Sequence, residues 1–521
     1  MENPSLPGIK HINPWIIAIT VMLSTFIEVL DTTVVNVSLP HIAGSMSATV
    51  DEATWALTSY LVANAIILPI TGWLASFFGR KRLLMMAVTG FTLASLMCGL
   101  APNLALLIVF RILQGACGGA LQPISQAVLL ESFPSRERGK AMAFWGLGIV
   151  VAPMLGPVLG GWLTDSYSWR WVFYINVPIG IAALVMTQLF IFDPSYIRRL
   201  SQRIDYWGIG MLAVGVASLQ LVLDKGQEAD WFSSNWITAL SVIAMVALVT
   251  LVIYELYVQH PVLDLRVFRF RTYSAGVFLM AMMGVVLYGS LVILPIMLQT
   301  LLRYSALQAG MAMFPRGLGS FIAMPIVGMI MTRFDPRKLL LVGIVACAGS
   351  LVLLGDLTLD IGFWNIFWAQ VLQGVSLAFL FVPLTTVTMD PISLEGMGNA
   401  TSIFNLMRNL GGSIGIATVT TMVTRNQQAN TNQLGANITA GSPQTQHTLE
   451  MLRQMFVSRG NDAVTANHRA FAMVFAMVER QAAMLAFNQT YWLLALLFVV
   501  MLPLVLLMRK PSHSKGKVAV H

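Results

Sequence analysis

Charged side chains are scarce in this chain, 10% of its 521 residues against 57% hydrophobic ones. A water-soluble domain carries about 25% charged residues, so an ordinary soluble fold is excluded. Cysteine is scarcer still. Cys98, Cys117 and Cys347 all lie in apolar segments without metal-ligand spacing, which removes a disulfide framework and leaves them as small packing residues. Also missing are a Walker A pattern, His/Cys clusters spaced for a metal and a nucleophile elbow. Neither an enzyme nor a cofactor is expected, and an ion gradient is left as the energy source. No basic n-region and cleavage site precede the first apolar segment, so that helix is expected to stay in place.

What the chain has in abundance is apolar stretches of about 20 residues, the length that crosses a bilayer as a helix. The expectation is an all-α polytopic membrane protein with fourteen transmembrane helices. They fall near 14–35, 53–76, 83–101, 104–130, 140–164, 171–192, 206–223, 236–257, 272–300, 308–332, 338–356, 362–388, 398–424 and 488–508. Basic residues orient them. With residues 1–13 and 509–521 cytoplasmic, 20 of the 31 Lys and Arg fall inside: Lys10, Arg80–Arg82, Arg136/Arg138/Lys140, Arg198/Arg199/Arg203, Arg266/Arg269/Arg271, Arg333/Arg337/Lys338 and Arg509/Lys510/Lys515/Lys517. Only the loop between helices 12 and 13 departs from the positive-inside rule. The net charge of +8 therefore follows from topology and needs no nucleic-acid partner. The one long non-membrane stretch, 425–487, begins polar, becomes Ala/Met-rich and helix-prone from about Ala466, and is expected outside, as a disordered spacer or a docking surface.

Away from the span ends, five charged residues lie within the membrane segments: Glu28 and Asp31 in helix 1, Arg111 in helix 4, Arg316 in helix 10 and Arg408 in helix 13. Three residues apart, the two carboxylates lie about 60° from each other on one helical face. An ionised Asp at bilayer depth costs roughly 2.5–3.5 kcal/mol, so such groups face a cavity or a partner.

The chain also repeats itself. Gly72-Trp-Leu-Ala-Ser76-Phe-Phe-Gly-Arg80-Lys-Arg-Leu-Leu84 matches Gly328-Met-Ile-Met-Thr332-Arg-Phe-Asp-Pro336-Arg-Lys-Leu-Leu340, and Arg111-Ile-Leu-Gln-Gly115 matches Gln370-Val-Leu-Gln-Gly374; Pro123 and Pro383 follow. Two related halves are implied: six helices in 14–192, two extra helices in a linker at 193–262, and six in 263–508. Secondary transporters are built this way, with their site between the halves near mid-membrane. Neutral Gln370 stands opposite Arg111, so intramembrane charge gathers in the first half.

These segments resemble the major facilitator superfamily, specifically its fourteen-helix drug:proton antiporter branch (EmrB/QacA-like). Gly72–Arg82 is similar to the gating loop called motif A, including Gly72, Gly79, Arg80 and Lys81. Leu107–Gly115 resembles motif B. Pro153, Gly156, Pro157, Gly160 and Gly161 resemble the antiporter motif of helix 5. Leu30–Pro40, Trp169–Gly180 and Arg408–Gly415 resemble further sequences of the branch. The resemblance covers nearly the whole chain. It implies a proton-coupled exporter of diverse hydrophobic or cationic drugs, working by alternating access in a bacterial inner membrane. It also implies a periplasmic adaptor and an outer-membrane channel as partners. The alternative is a dedicated transporter of one metabolite, such as a fatty acid, siderophore or sugar. Two departures stand out: Ser76 replaces the Asp usual in motif A, and Glu28 is not part of the helix 1 signature.

The resemblance makes Asp31 the proton carrier and Arg111 its movable counter-charge. A buried carboxyl beside a second one holds its proton more tightly, and a nearby guanidinium loosens it. The bland reading is a static ion pair joining helices 1 and 4. Glu28 belongs to the proton site, faces a cationic drug, or has no role. The Gly/Pro pattern of helix 5 suits a close, bent contact, for gating or for plain packing. Arg316 and Arg408 contact substrate or backbone carbonyls. Phe26, Trp55, Tyr60, Tyr288 and Phe404, with pliable methionines such as Met280 and Met311, line a pocket or pack in the core.

Overall fold

The computed structural model describes residues 13–134, 137–193, 205–259, 261–436, 438–439 and 442–508. The expected cytoplasmic termini, with Lys10 and the tail from Arg509, lie outside these residues, as do Arg136, Arg198, Arg199 and Arg203. The first half holds α1 (Pro14–Ser45), α2 (Val50–Phe78), α3 (Arg80–Leu100), α4 (Leu104–Gly118), α5 (Leu121–Ser132), α6 (Arg138–Ser166), α7 (Trp171–Tyr174) and α8 (Asn176–Phe190). Then come the linker helices α9 (Tyr206–Lys225) and α10 (Asn235–Tyr257). The second half holds α11 (Arg271–Thr300), α12 (Ala306–Ile330), α13 (Pro336–Gly355), α14 (Phe363–Met389), α15 (Met397–Ala436), α16 (Pro443–Ser458) and α17 (Ala463–Leu507).

Local chemistry accounts for the ends. Asn13, Asn103, Asp205, Asp335 and Asp462 cap their helices through side-chain oxygens, and Thr49/Glu52 and Ser305/Gln308 form capping boxes. The fourth span breaks between α4 and α5 at Gly119-Ala120, just before Pro123 withdraws a backbone donor. That break separates the residues of α4 from those of α5, which serve two different clusters.

Thirteen helices among the described residues are long and apolar enough to cross a membrane, against the fourteen expected. The difference is the segment 398–424. It is helical, within α15, but Asn405, Arg408, Asn409 and paired glycines keep its hydropathy low. The stretch 425–487, expected to be helix-prone only from about Ala466, is largely helical across its described residues. The helix α15 runs on to Ala436, α16 follows, and α17 begins at Ala463. At 1.5 Å per residue the 45 residues of α17 measure about 68 Å, over twice a bilayer core. Its Asn488 donates to Leu357 O (3.0 Å) and its Trp492 to Asp356 (3.2 Å), level with the end of α13. The first part of α17 therefore projects beyond the bundle, with Phe471 and Phe475 exposed, while Ala483, Met484 and Phe487 already belong to the core. Alanine-rich sequence with high helix propensity explains the continuity.

Within each half the repeat is visible in the packing. Gly115 of α4 lies so close to α2 that a Cβ there would meet Tyr60 O at 2.3 Å. In the second half a Cβ on Gly374 of α14 would run into Arg316 O of α12 in the same way. The halves touch along α6–α12 and α2–α15. The linker pair docks over the second of these seams: Asp224 accepts from Thr58, Lys225 Nζ donates to Thr54 (2.6 Å), and Trp231 Nε1 donates to Thr421 (3.1 Å).

Candidate transport site between the halves

Asp31 sits at the centre of a sealed cluster inside the first half. Its Oδ2 accepts from Arg111 Nη1 (2.5 Å), and its Oδ1 accepts from Gln114 Nε2 (2.9 Å) and Asn176 Nδ2 (2.7 Å). Arg111 also donates through Nε to Ala56 O (3.0 Å) and lies over the Tyr60 ring at 4.1 Å. Asn176 reaches on to Ser95 Oγ (3.1 Å), so α1, α2, α3, α4 and α8 all meet here. Asp31 and Arg111 are both completely buried. Charged hydrogen bonds of this kind are electrostatically stronger in a dry interior and offset the cost of desolvating both groups, so a lone partner would be costly.

Glu28, one turn earlier, looks the other way. Its carboxylate accepts from Asn64 Nδ2 of α2 (3.0 Å) and from Gln122 Nε2 of α5. Gln122 in turn accepts from Arg408 Nη2 of α15, in the opposite half. Beside this contact Asn405 Nδ2 donates to Gln126 Oε1 (2.5 Å) and Thr401 Oγ1 donates to Pro123 O (3.2 Å). The two carboxylates therefore divide the work: Asp31 is held within one half, Glu28 is tied to the seam. Spacing alone placed them on one face and did not separate these environments.

Arg316 donates to Leu287 O (3.4 Å) and forms no ion pair among the described residues. The packing makes it the counterpart of Tyr60, since each carbonyl is covered by the matching glycine of the repeat. The second half thus has Gln370 where the first has Arg111, and a guanidinium where the first has Tyr60. Carrying the register of the repeat twelve residues upstream, from Gly72 to Tyr60 and from Gly328 to Arg316, would have found this exchange.

The aromatic residues do not converge on one wall. Tyr60 lies on Arg111, Tyr288 is half-buried against Gly412, Phe404 is buried in the core, and Phe26 packs beside Leu30. Trp55 is 39% exposed, with Lys225 Nζ 5.5 Å from its ring centre.

In the antiporter-like pattern of α6, Gly156 and Gly160 press on α1: a Cβ at Gly156 would lie 2.2 Å from Thr33 Oγ1, and one at Gly160 2.9 Å from Val34 O. Pro157 faces α12 at Gly310, and Gly161 has open space around it. Gly161→Ala should keep stability and transport, gaining up to ~1 kcal/mol of helix propensity. Gly156→Val should separate α1 from α6 and lower thermal stability, by overpacking worth roughly 1–3 kcal/mol. Equal melting temperatures for the two variants would refute this.

In the α2–α3 loop, Gly79 takes φ +86°, with Asp193 against its Cα. Asp193 Oδ1 accepts from Lys81 N (2.8 Å), and Lys81 Nζ donates to Gln188 O (2.6 Å). Ser76 donates to Trp73 O (2.7 Å) within its own helix. A carboxylate for Arg80 comes from Glu131 on α5, and Arg80 Nη2 also reaches Leu394 O of the other half (3.5 Å). Glu131 was not singled out by sequence, since it sits outside the loop motif. Gly72 is where the halves come closest here.

The Major Facilitator Superfamily model matches residues 21–416. The chain is 36% identical over 518 residues to the Fatty acid resistance protein FarB of Neisseria gonorrhoeae, covering 99% of each chain. It is 36% identical over 504 residues to the Multidrug export protein EmrB of Escherichia coli, covering 96% of each. Among solved structures, the human organic anion transporter MFSD10 (TETRAN) superposes with TM-score 0.57 at 14% identity, over 94% of this chain and 100% of that one; at such identity the likeness concerns the fold alone. A buried charge cluster in one half, polar contacts across the seam and full-length relatives converge on one conclusion: this chain belongs to the Major Facilitator Superfamily, in its EmrB-like branch, and is a multi-pass membrane transporter and not an enzyme.

Proposed function

We propose that the protein exports diverse hydrophobic or cationic drugs in exchange for protons, by alternating access across a bacterial inner membrane with both termini cytoplasmic. No cofactor takes part; the proton gradient drives the cycle. The observation that carries this reading is the Asp31–Arg111 pair, completely buried and held by Gln114 and Asn176. A carboxylate whose counter-charge can withdraw holds its proton more or less tightly in different states, which is what exchange requires. The name of EmrB, a multidrug export protein, supports drugs as the substrates. In cells expressing the protein, ethidium efflux should collapse when a proton uncoupler is added; efflux indifferent to the uncoupler would sink the reading.

The helical projection of α15, α16 and α17 would meet a periplasmic adaptor, itself joined to an outer-membrane channel. Exposed Phe471 and Phe475 support that role. Deleting 437–480 should abolish co-purification with such an adaptor while leaving the bundle folded; unchanged recovery would count against it.

A second reading has a specific observation behind it. FarB is named for fatty acid resistance, and Arg316 is a buried cation that no carboxylate pairs among the described residues. An amphiphilic carboxylate would suit it. Arg316→Gln should then weaken export of a long-chain fatty acid and spare that of ethidium.

A further inference from the structure

Glu28 and Arg408 belong to opposite halves, and one side chain joins them. Gln122 gives its Nε2 to Glu28 and offers its Oε1 to Arg408. An ionised carboxylate only accepts hydrogen bonds and a guanidinium only donates them, so the orientation of the amide between them is set from both ends. All three side chains are nearly inaccessible, at 5%, 6% and 2% exposure, so water does not compete for them. Asn405–Gln126 and Thr401–Pro123 extend the same line of polar contacts along α5 and α15.

The surroundings leave Arg408 as the balancing charge for Glu28. From α2 come Asn64 and Tyr60, from α5 Gln122, and from α15 Arg408. Asp31 on the same helix is already paired with Arg111 of α4. Trp145 of α6 donates to Thr25 and Asn176 of α8 to Asp31, so neither brings a charge to Glu28.

We propose that Gln122 is a positioning residue that lets the seam read the charge of Glu28: the ionised carboxylate ties α15 to the first half through Gln122 and Arg408, and protonation releases it. The chemical step is the addition of one proton, delivered from hydronium that leaves as water, to a Glu28 oxygen. The carboxyl can then donate as well as accept, the amide orientation is no longer dictated, and the pull on Arg408 is lost. Asp31 would carry the transported proton; the Glu28–Gln122–Arg408 chain would decide when the halves part. This rests on the proton-exchange reading.

The test uses the full chain in nanodiscs, with its three cysteines replaced by alanine and spin labels at Gly44→Cys and Thr358→Cys, near the same end of opposite halves. Distances are measured between about pH 8 and pH 4, a window that reaches the ordinary Glu carboxyl value of about 4.3. The labelled parent should shift its distance distribution across this range. Glu28→Gln should hold the low-pH distribution throughout, and Gln122→Leu should lose the pH response. Arg408→Met should lose it too, giving a second route if the Gln122 variant folds poorly, and Arg408→Lys should retain part of it. A parent that does not respond to pH, or a folded Gln122→Leu with the parental response, overturns the proposal. Efflux driven by a pH gradient is measured separately in proteoliposomes. Its absence in the parent overturns proton exchange, while the labels still judge the seam.

Discussion

Asp31→Asn is expected to abolish accumulation of substrate against a gradient while downhill movement persists. The substitution is nearly isosteric, and Gln114 and Asn176 keep an oxygen to donate to. What it removes is the charge opposite Arg111 in a site with no exposure. Breaking a buried pair from one side costs about 3–5 kcal/mol, because the remaining charge is left unbalanced. The single variant should therefore also melt earlier. Arg111→Met in the same chain removes the stranded charge, and replacing both partners together is often nearly neutral for stability. The double variant should regain thermal stability and stay inactive in uphill transport. If it regains transport as well, the pair is a static tie between α1 and α4, and the proton passes elsewhere.

Gly72→Val should have a comparably large effect from the other end of the seam. A Cβ at this position would lie 2.7 Å from both Cα and N of Asn399 and 2.8 Å from Gly398 C, so backbone meets backbone between α2 and α15. Backbone cannot rotate away as a flexible side chain can, so α2 and α15 must separate. Asn399 is itself held by Asp264, whose N–H donates to its Oδ1 (3.1 Å) and whose O accepts from its Nδ2 (2.9 Å). The expected outcome is a seam that no longer closes on the side of the α2–α3 loop, and loss of uphill export. Ala75→Cys, buried in the parent, should become open to a membrane-impermeant maleimide from that side in the Gly72→Val background. Unaltered labelling with unaltered transport would show that the close approach is incidental.

What the sequence determined by itself is whatever depends on neighbours in the chain or on a repeating pattern. Apolar length announced the helices, and the two copies of the Gly72 and Gly115 segments announced two halves. Asp31 and Arg111 were legible because a charge in an apolar segment demands a partner, and few partners exist. The tertiary structure alone decided which uncharged groups those charges use. Asn64, Gln114, Gln122, Gln126, Asn176 and Asn405 are ordinary residues for such helices, and a carboxamide carries no charge whose placement must be explained. Their meaning comes from helices separated by tens to hundreds of residues that cross at one depth. The same holds for Glu131, which meets Arg80 only because α5 returns beside the α2–α3 loop. The reach of α17 is the opposite case: its Ala/Met-rich start is helix-prone in sequence from about Ala466, and nothing there interrupts the helix. Local propensity and hydropathy are properties of a segment; the choice of partner is a property of how segments cross.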